Sequence, residues 1–194
     1  IYMICGLLIS QIFACSNDET NTTPSETVTD IDGNVYQVIT IGQQVWMSEN
    51  LRVTRFRNGD IIGTTSKSDQ DFESEIDPRY QWSYQNIESN AKKYGRLYTW
   101  YTIMDARGIC PEGWHIPTDE EWTELTDFLG GESNAQQKLI DKGFKPQYGG
   151  SCFGSNFIDL DSYGHSWSSS SVEISVPGAL DQIYVRTIVK DASN

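Results

Sequence analysis

The chain has little of what metal or redox chemistry needs. Its two histidines and four cysteines form no Cys-x-x-Cys pair and no mixed Cys/His cluster, so no ligand set for a structural zinc is present. No Gly-x-Ser-x-Gly elbow or other nucleophile signature occurs. Basic residues are scarce, 14 Lys and Arg against 27 Asp and Glu, and the formal net charge is −13. Phosphate backbones are bound by basic surfaces, so nucleic acid is not an expected partner. The acidity fits solubility and mutual repulsion instead. There is no tandem repeat. The apolar run Ile4 to Ala14 is too short to cross a bilayer as a helix.

Aromatic residues, by contrast, are plentiful: six Trp, ten Tyr and seven Phe, enough for a core of large side chains with some left for a surface. The first fifteen residues carry no charge and read as the apolar part of an export signal. Ile12-Phe13-Ala14-Cys15 resembles a bacterial lipobox, in which a small residue precedes a lipidated Cys. Residues 16–26 are polar and turn-rich, a tether, with Asp18 and Glu19 resembling the acidic export signal of surface lipoproteins in Bacteroidetes. The expected organisation is residues 1–15 as signal and lipobox, 16–26 as tether, and 27–194 as one domain. The expected location is the outer membrane or cell surface, reached through a lipid on Cys15. With Cys5 leaving in the signal, Cys110 and Cys152 remain, as a disulfide or as two separate buried thiols.

The densest run of boundary signals lies between Ile109 and Gly131. Pro117 fixes its own φ and disfavours helix at Ile116, so the chain arrives extended. Thr118 is the expected N-cap and Glu121, three residues on, completes a capping box. Asp119, Glu120 and Glu121 place negative charge at the positive end of the helix dipole. Trp122, Leu125, Phe128 and Leu129 recur at helical spacing, and Gly130-Gly131 stops the helix. The three acids are therefore read as capping groups and not as catalysts. His115 falls in a short Trp114-His115-Ile116 strand, as a packed or satisfied side chain.

Elsewhere, Thr27 to Met47 reads as a hairpin around Asp32-Gly33-Asn34. Asp30-x-Asp32-Gly33 begins like a calcium loop, but Ile41 stands where the bidentate Glu belongs, which rejects an EF-hand. Leu51 to Phe56 is expected as a strand and Asn58-Gly59-Asp60 as a turn. Asp69, Asp71, Glu73, Glu75 and Asp77 alternate without an opposing apolar face and read as a solvated loop. Tyr94, Leu97, Tyr98, Tyr101 and Met104 follow the helical period, predicting one helix over 90–106, with Trp100 off that stripe. Ser133 to Lys142 is a second capped helix, with Gln136 completing its box. Residues 144–172 turn to Gly, Ser, Tyr and Asn, expected as long loops with short strands, and Ile183 to Val189 as a closing strand.

These residues resemble a known family. Ile41-Gly42-x-Gln44-x-Trp46-Met47-x-Glu49-Asn50-Leu51, Tyr94-Gly95-Arg96-Leu97-Tyr98-Thr99-Trp100 and Cys110-Pro111-x-Gly113-Trp114-His115-Ile116-Pro117-Thr118-Asp119-x-Glu121-Trp122 resemble the Fibrobacter succinogenes major paralogous domain. So does Ser162 to Ser170, with Ser166 where that domain usually has Trp. One departure is a shortened stretch between Lys142 and Tyr148. The resemblance implies an α+β, C-type-lectin-like fold: a twisted antiparallel sheet flanked by two main helices, with long loops in the C-terminal half. Trp46, Asn50, Trp100, Trp114, Pro117, Thr118, Glu121 and Trp122 are the expected framework.

The expected function is a surface-anchored binding or adhesion module for a glycan or protein. Candidate contacts are Tyr148, Phe153, Tyr163, His165 and Trp167, because aromatics in Gly/Ser-rich loops can stack on sugar rings or on apolar patches. Loop packing onto the sheet is the competing reading for each. No cofactor is expected. Asp159 and Asp161 are the candidates for calcium, but the Glu-Pro-Asn, Gln-Pro-Asp and Trp-Asn-Asp triplets of sugar-binding C-type lectins are absent. The alternatives are a structural subunit of an envelope assembly, and an enzyme of the formylglycine-generating type. The latter uses two neighbouring late cysteines, which this chain lacks.

Overall fold

A computed structural model describes residues 6–8, 27–65, 77–153, 156–172 and 182–190. The proposed lipid-bearing Cys15, the tether and the acidic run from Asp69 to Glu75 lie outside them, as does the side chain of Phe153.

Strand β1 (Gly6–Leu8) comes from the apolar N-terminal run. Strands β2 (Thr27–Thr29), β3 (Val35–Ile41) and β4 (Gln44–Met47) join it in one antiparallel sheet, ordered β1-β4-β3-β2. The predicted 27–47 hairpin is thus present as β2, β3 and β4, with β1 added beside β4. Its first turn is organised by Asp30, which is buried. One carboxylate oxygen accepts the N–H groups of Asp32 and Asn34, both at 2.9 Å, and the other accepts Asn34 Nδ2 and, at 2.5 Å, the Tyr36 hydroxyl. The calcium-like spelling is a turn held by its own aspartate.

Leu51 to Phe56 forms no strand among the described residues, only a bridge from Arg55 to Ile61. Leu51, Val53 and Phe56 are buried, and the backbone is served through space. Arg96 N–H donates to Leu51 O at 2.9 Å and the Tyr98 hydroxyl to Val53 O at 2.7 Å.

The single helix expected over 90–106 is three elements. After β5 (Gln81–Trp82) and a 3-10 turn come α1 (Glu88–Tyr94), β6 (Leu97–Tyr98) paired with β5, and α2 (Trp100–Met104). The break is at Gly95, whose φ of +81° permits a close approach that a side chain would forbid. Asn50 fills that approach. Its Nδ2 donates to Tyr94 O at 2.9 Å and to Gln147 O at 3.2 Å, while its N–H donates to Gln147 Oε1 at 2.8 Å.

Helix α3 (Asp119–Phe128) starts with the predicted capping box of Thr118 and Glu121 and stops at Gly130 and Gly131, both at positive φ. Phe128 departs from the expected apolar face. It is exposed, and its ring lies over Gly42 in the β3–β4 turn. Helix α4 (Glu132–Asp141) starts one residue before the predicted start. Gly131 then holds the cap position, and the expected Ser133–Gln136 box does not form.

The Gly/Ser-rich stretch is strand more than loop: β7 (Gly149–Phe153) pairs with β8 (Asn156–Leu160), and β9 (Tyr163–Val172) pairs with β10 (Gln182–Val189). Ser166 and Ser168 are buried within β9, where small side chains allow close packing and hide the strand from hydropathy. All strand pairings are antiparallel, so the chain is a mixed α/β structure of several antiparallel sheets and four helices among the described residues. The main core gathers Trp46, Leu51, Phe56, Trp114, Trp122 and Trp167, with a smaller cluster of Trp82, Tyr94 and Leu97 beside it. No helix among the described residues is long and apolar enough to cross a membrane.

Candidate functional site

The motif-rich segment before α3 is a joint between four parts of the fold. Thr118 N–H donates to Glu121 Oε2 at 2.8 Å, and Glu121 N–H donates to Thr118 Oγ1 at 3.2 Å. His115 Nε2 sits 2.9 and 3.0 Å from the two carboxylate oxygens of Glu121. A carboxylate only accepts, so Nε2 carries the proton. Gln44, on β4, donates to Glu121 O at 3.2 Å and accepts Trp46 Nε1 at 3.1 Å. The Trp46 and Trp122 rings meet at 4.7 Å. On the other side, Ser169 N–H donates to Pro117 O at 2.8 Å and Asp119 N–H to Ser170 Oγ at 2.9 Å, while Arg186 on β10 forms an ion pair with Asp119. Both oxygens of Glu121 are engaged, and the expected strand at 114–116 shrinks to a single bridge residue, His115. The arrangement does the work of capping and fastening.

The cysteines correct one expectation. Cys110 is disulfide-bonded, but not to Cys152, which keeps its thiol. The two lie in different packing regions: Cys110 is in the main core, and Cys152 packs against the Trp82–Tyr94–Leu97 cluster. The chain's other cysteines, Cys5 and Cys15, are outside the described residues. Burial pushes the Cys152 thiol above its ordinary pKa, which lowers its thiolate content at neutral pH. Peptide mapping of the folded, unreduced chain with residues 1–15 in place should therefore show slow iodoacetamide alkylation at Cys152 and none at Cys110. Rapid labelling of both would contradict this assignment and favour a reactive pair.

The five ring candidates separate. Tyr163 and His165, two residues apart on β9, lie on one face with rings parallel within 7° and centroids 6.0 Å apart. Tyr163 is 38% exposed. His165 Nδ1 is 3.0 Å from Thr187 Oγ1 on β10. Trp167 is not a contact residue: it is 8% exposed, and its Nε1 donates to Tyr98 O at 3.0 Å. The same alternation that places it beside His165 carries it under the fold, where its ring fills the core. Tyr148 is not part of the pair either. Its backbone lies beside Gly164, on the opposite face of β9, and Lys190 sits over its ring at 5.9 Å.

Asp159, near the end of β8, and Asp161, in the turn that follows, adopt positive φ, 64° and 57°. The Asp161 carboxylate accepts the Tyr94 hydroxyl at 3.0 and 3.1 Å. Among the described residues no third carboxylate, Cys or His completes a cation site with them.

Burial holds the His165 pKa below its ordinary value, with the Asp159 charge opposing the shift. The folded protein thus disfavours the imidazolium. Stability from this group is fully present above the unfolded-state value of about 6.5 and is lost as pH falls through the lower folded-state value. Thermal melting at pH 7.5 and pH 5 should show a larger loss on acidification for the parent than for His165→Gln. Equal losses would contradict the shift.

Sequence reading passed over the open side of β10. Val185 and Val189 are exposed there, and a groove of about 370 Å3 runs between β10 and the α3–α4 pair. The Val185-x-Thr187-x-Val189 alternation was its only signal. Trp122 Nε1 and Arg186 Nε, from residues lining the groove, are buried without an acceptor among the described residues.

The family model described as the Fibrobacter succinogenes major domain matches residues 39–176. Neither a curated protein nor a solved structure matches the chain.

Proposed function

The chain belongs to the Fibrobacter succinogenes major domain family, and on that footing we propose that it is a non-enzymatic, lipid-anchored binding module of the cell surface that takes a glycan on the Tyr163–His165 rings. The observation that carries this reading is the ring pair itself. Two near-parallel rings stand on a paired β-ribbon, with Tyr163 open to solvent. Strand pairing fixes their spacing before any ligand arrives, so little ordering cost attends binding. The C–H face of a pyranose can lie on such rings. A C-type-lectin-like arrangement of the domain belongs to the same proposal, as does export to the outer membrane or cell surface through Cys15.

Folded protein applied to an array of plant and mucin glycans should bind, and binding should persist in EDTA, because ring stacking needs no cation. An array negative both with and without calcium would remove the glycan reading. The anchor is tested by mass spectrometry of the protein taken from its native membrane. A thioether-linked lipid on Cys15 is expected, with Cys110 left as a thiol because Cys5 leaves with the leader, and a Cys110 disulfide to either Cys5 or Cys15 in that protein would exclude it.

A further inference from the structure

The geometry points to a second site: the open edge of β10 is built to accept an extended, uncharged or basic peptide segment of a partner protein as an added strand. β10 is paired with β9 on one side. On the other, Gln136 of α4 reaches Val189. Its Nε2 donates to Val189 O at 2.7 Å, and its Oε1 accepts Val189 N–H at 3.1 Å. A side-chain amide there makes the pair of bonds that a neighbouring strand's peptide group would make.

The direction of Val189 fixes that of its neighbours. In an antiparallel pair, residues alternate between bonding the partner strand and facing away from it. Lys190 N–H donates to Ser162 O at 2.9 Å, so Lys190 faces β9 and Val189 faces away. The register runs unbroken from Val189–Tyr163 to Val185–Trp167. Val185 and Thr187 therefore turn both N–H and C=O to the open side, and neither has a backbone partner among the described residues.

Across the groove lie the edges of Trp122, Leu125, Leu129 and Leu139, core residues that give alternate side chains of an incoming strand a shallow apolar floor. Strand pairing also narrows the choice of occupant. A second copy of β10 would bring its paired β9 with it, whereas a single extended segment is the narrowest occupant and has to displace only Gln136 at Val189. Charge narrows it further. The chain carries a net −13, Glu132 lines the groove, and Arg186 is already engaged by Asp119, so acidic segments are repelled. This site adjoins the ring pair, since the Thr187 hydroxyl meets His165, but it uses the main-chain edge and does not depend on the glycan reading.

The test pans a phage-displayed random heptapeptide library against the full chain and measures synthetic copies of the enriched peptides by fluorescence polarisation. Peptides with alternating apolar residues and no net negative charge are expected. Val185→Pro removes an N–H from the open edge but none from the β9 side, a position where proline is tolerated. It should weaken these peptides about tenfold or more at unchanged melting temperature, as expected for main-chain recognition. N-methylating every second peptide amide should do the same with the parent protein, and it decides the matter alone if Val185→Pro does not fold. Tyr163→Ala should leave peptide binding unchanged. No enriched peptide, unchanged affinity with N-methylated peptides, or a parent dimer that Val185→Pro dissociates would each overturn the proposal.

Discussion

Gly95→Ala should cost about 3 kcal/mol or more, enough to leave much of the protein unfolded under mild denaturant. Two effects add. Gly95 has φ +81° and ψ −166°, a region that costs side-chain-bearing residues roughly 1–3 kcal/mol. A Cβ there would also stand 2.4 Å from Asn50 Cβ and 3.0 Å from Leu51 O. Neither atom is the loose end of a flexible side chain, so the backbone must move, at roughly 1–3 kcal/mol for overpacking. The movement would pull at Asn50, which ties Tyr94 O to Gln147. A domain has only about 5–15 kcal/mol to lose. Urea unfolding of parent and variant measures the difference. A loss under about 1 kcal/mol would mean that the Tyr94–Leu97 turn relaxes freely, contrary to the packing described here.

Trp167→Ala should cost about 3–5 kcal/mol, the usual range for removing a buried Trp. The ring is 8% exposed within the main core, and its Nε1 serves Tyr98 O. Trp167→Phe separates the two contributions. It keeps an aromatic ring and leaves the Tyr98 carbonyl without its donor, which costs roughly 1–3 kcal/mol if the site stays dry. A Trp167→Ala chain that melts like the parent would return Trp167 to the surface as a ligand contact.

What was legible in the sequence was local. Pro117, Thr118, Glu121 and the Gly130-Gly131 stop lie within one short stretch, and each sets the backbone of its own neighbours, so α3 appeared where expected. The Asp32-Gly33-Asn34 turn was legible for the same reason. Failures came where the deciding partner lay far along the chain. Gly95 breaks the helical pattern of 90–106 because Asn50, 45 positions earlier, packs against it. Cys110 and Cys152 were expected as a disulfide or as two buried thiols, yet they sit in different clusters and only Cys110 is bonded. The β9 strand was hidden because its buried side chains include Ser166 and Ser168, which carry no apolar signal. Of the ring candidates, sequence spacing could pair Tyr163 with His165, but it placed Trp167 beside them with equal force. Only the third dimension shows that this strand face leaves solvent after His165.

The proposed function divides labour along the chain: the Cys110–Gly131 segment fastens the fold, and the Tyr163–His165 face would take the glycan. The direct measurement is glycan-array binding together with thermal melting for the parent, Tyr163→Ala and His115→Gln. Tyr163→Ala should lose binding about tenfold or more at unchanged melting temperature, as for an exposed anchor residue. His115→Gln should melt lower, through its lost pairing with Glu121, and still bind as the parent does when folded. The reverse outcome, binding abolished by His115→Gln at unchanged stability and untouched by Tyr163→Ala, would contradict this division and move the site to the segment before α3.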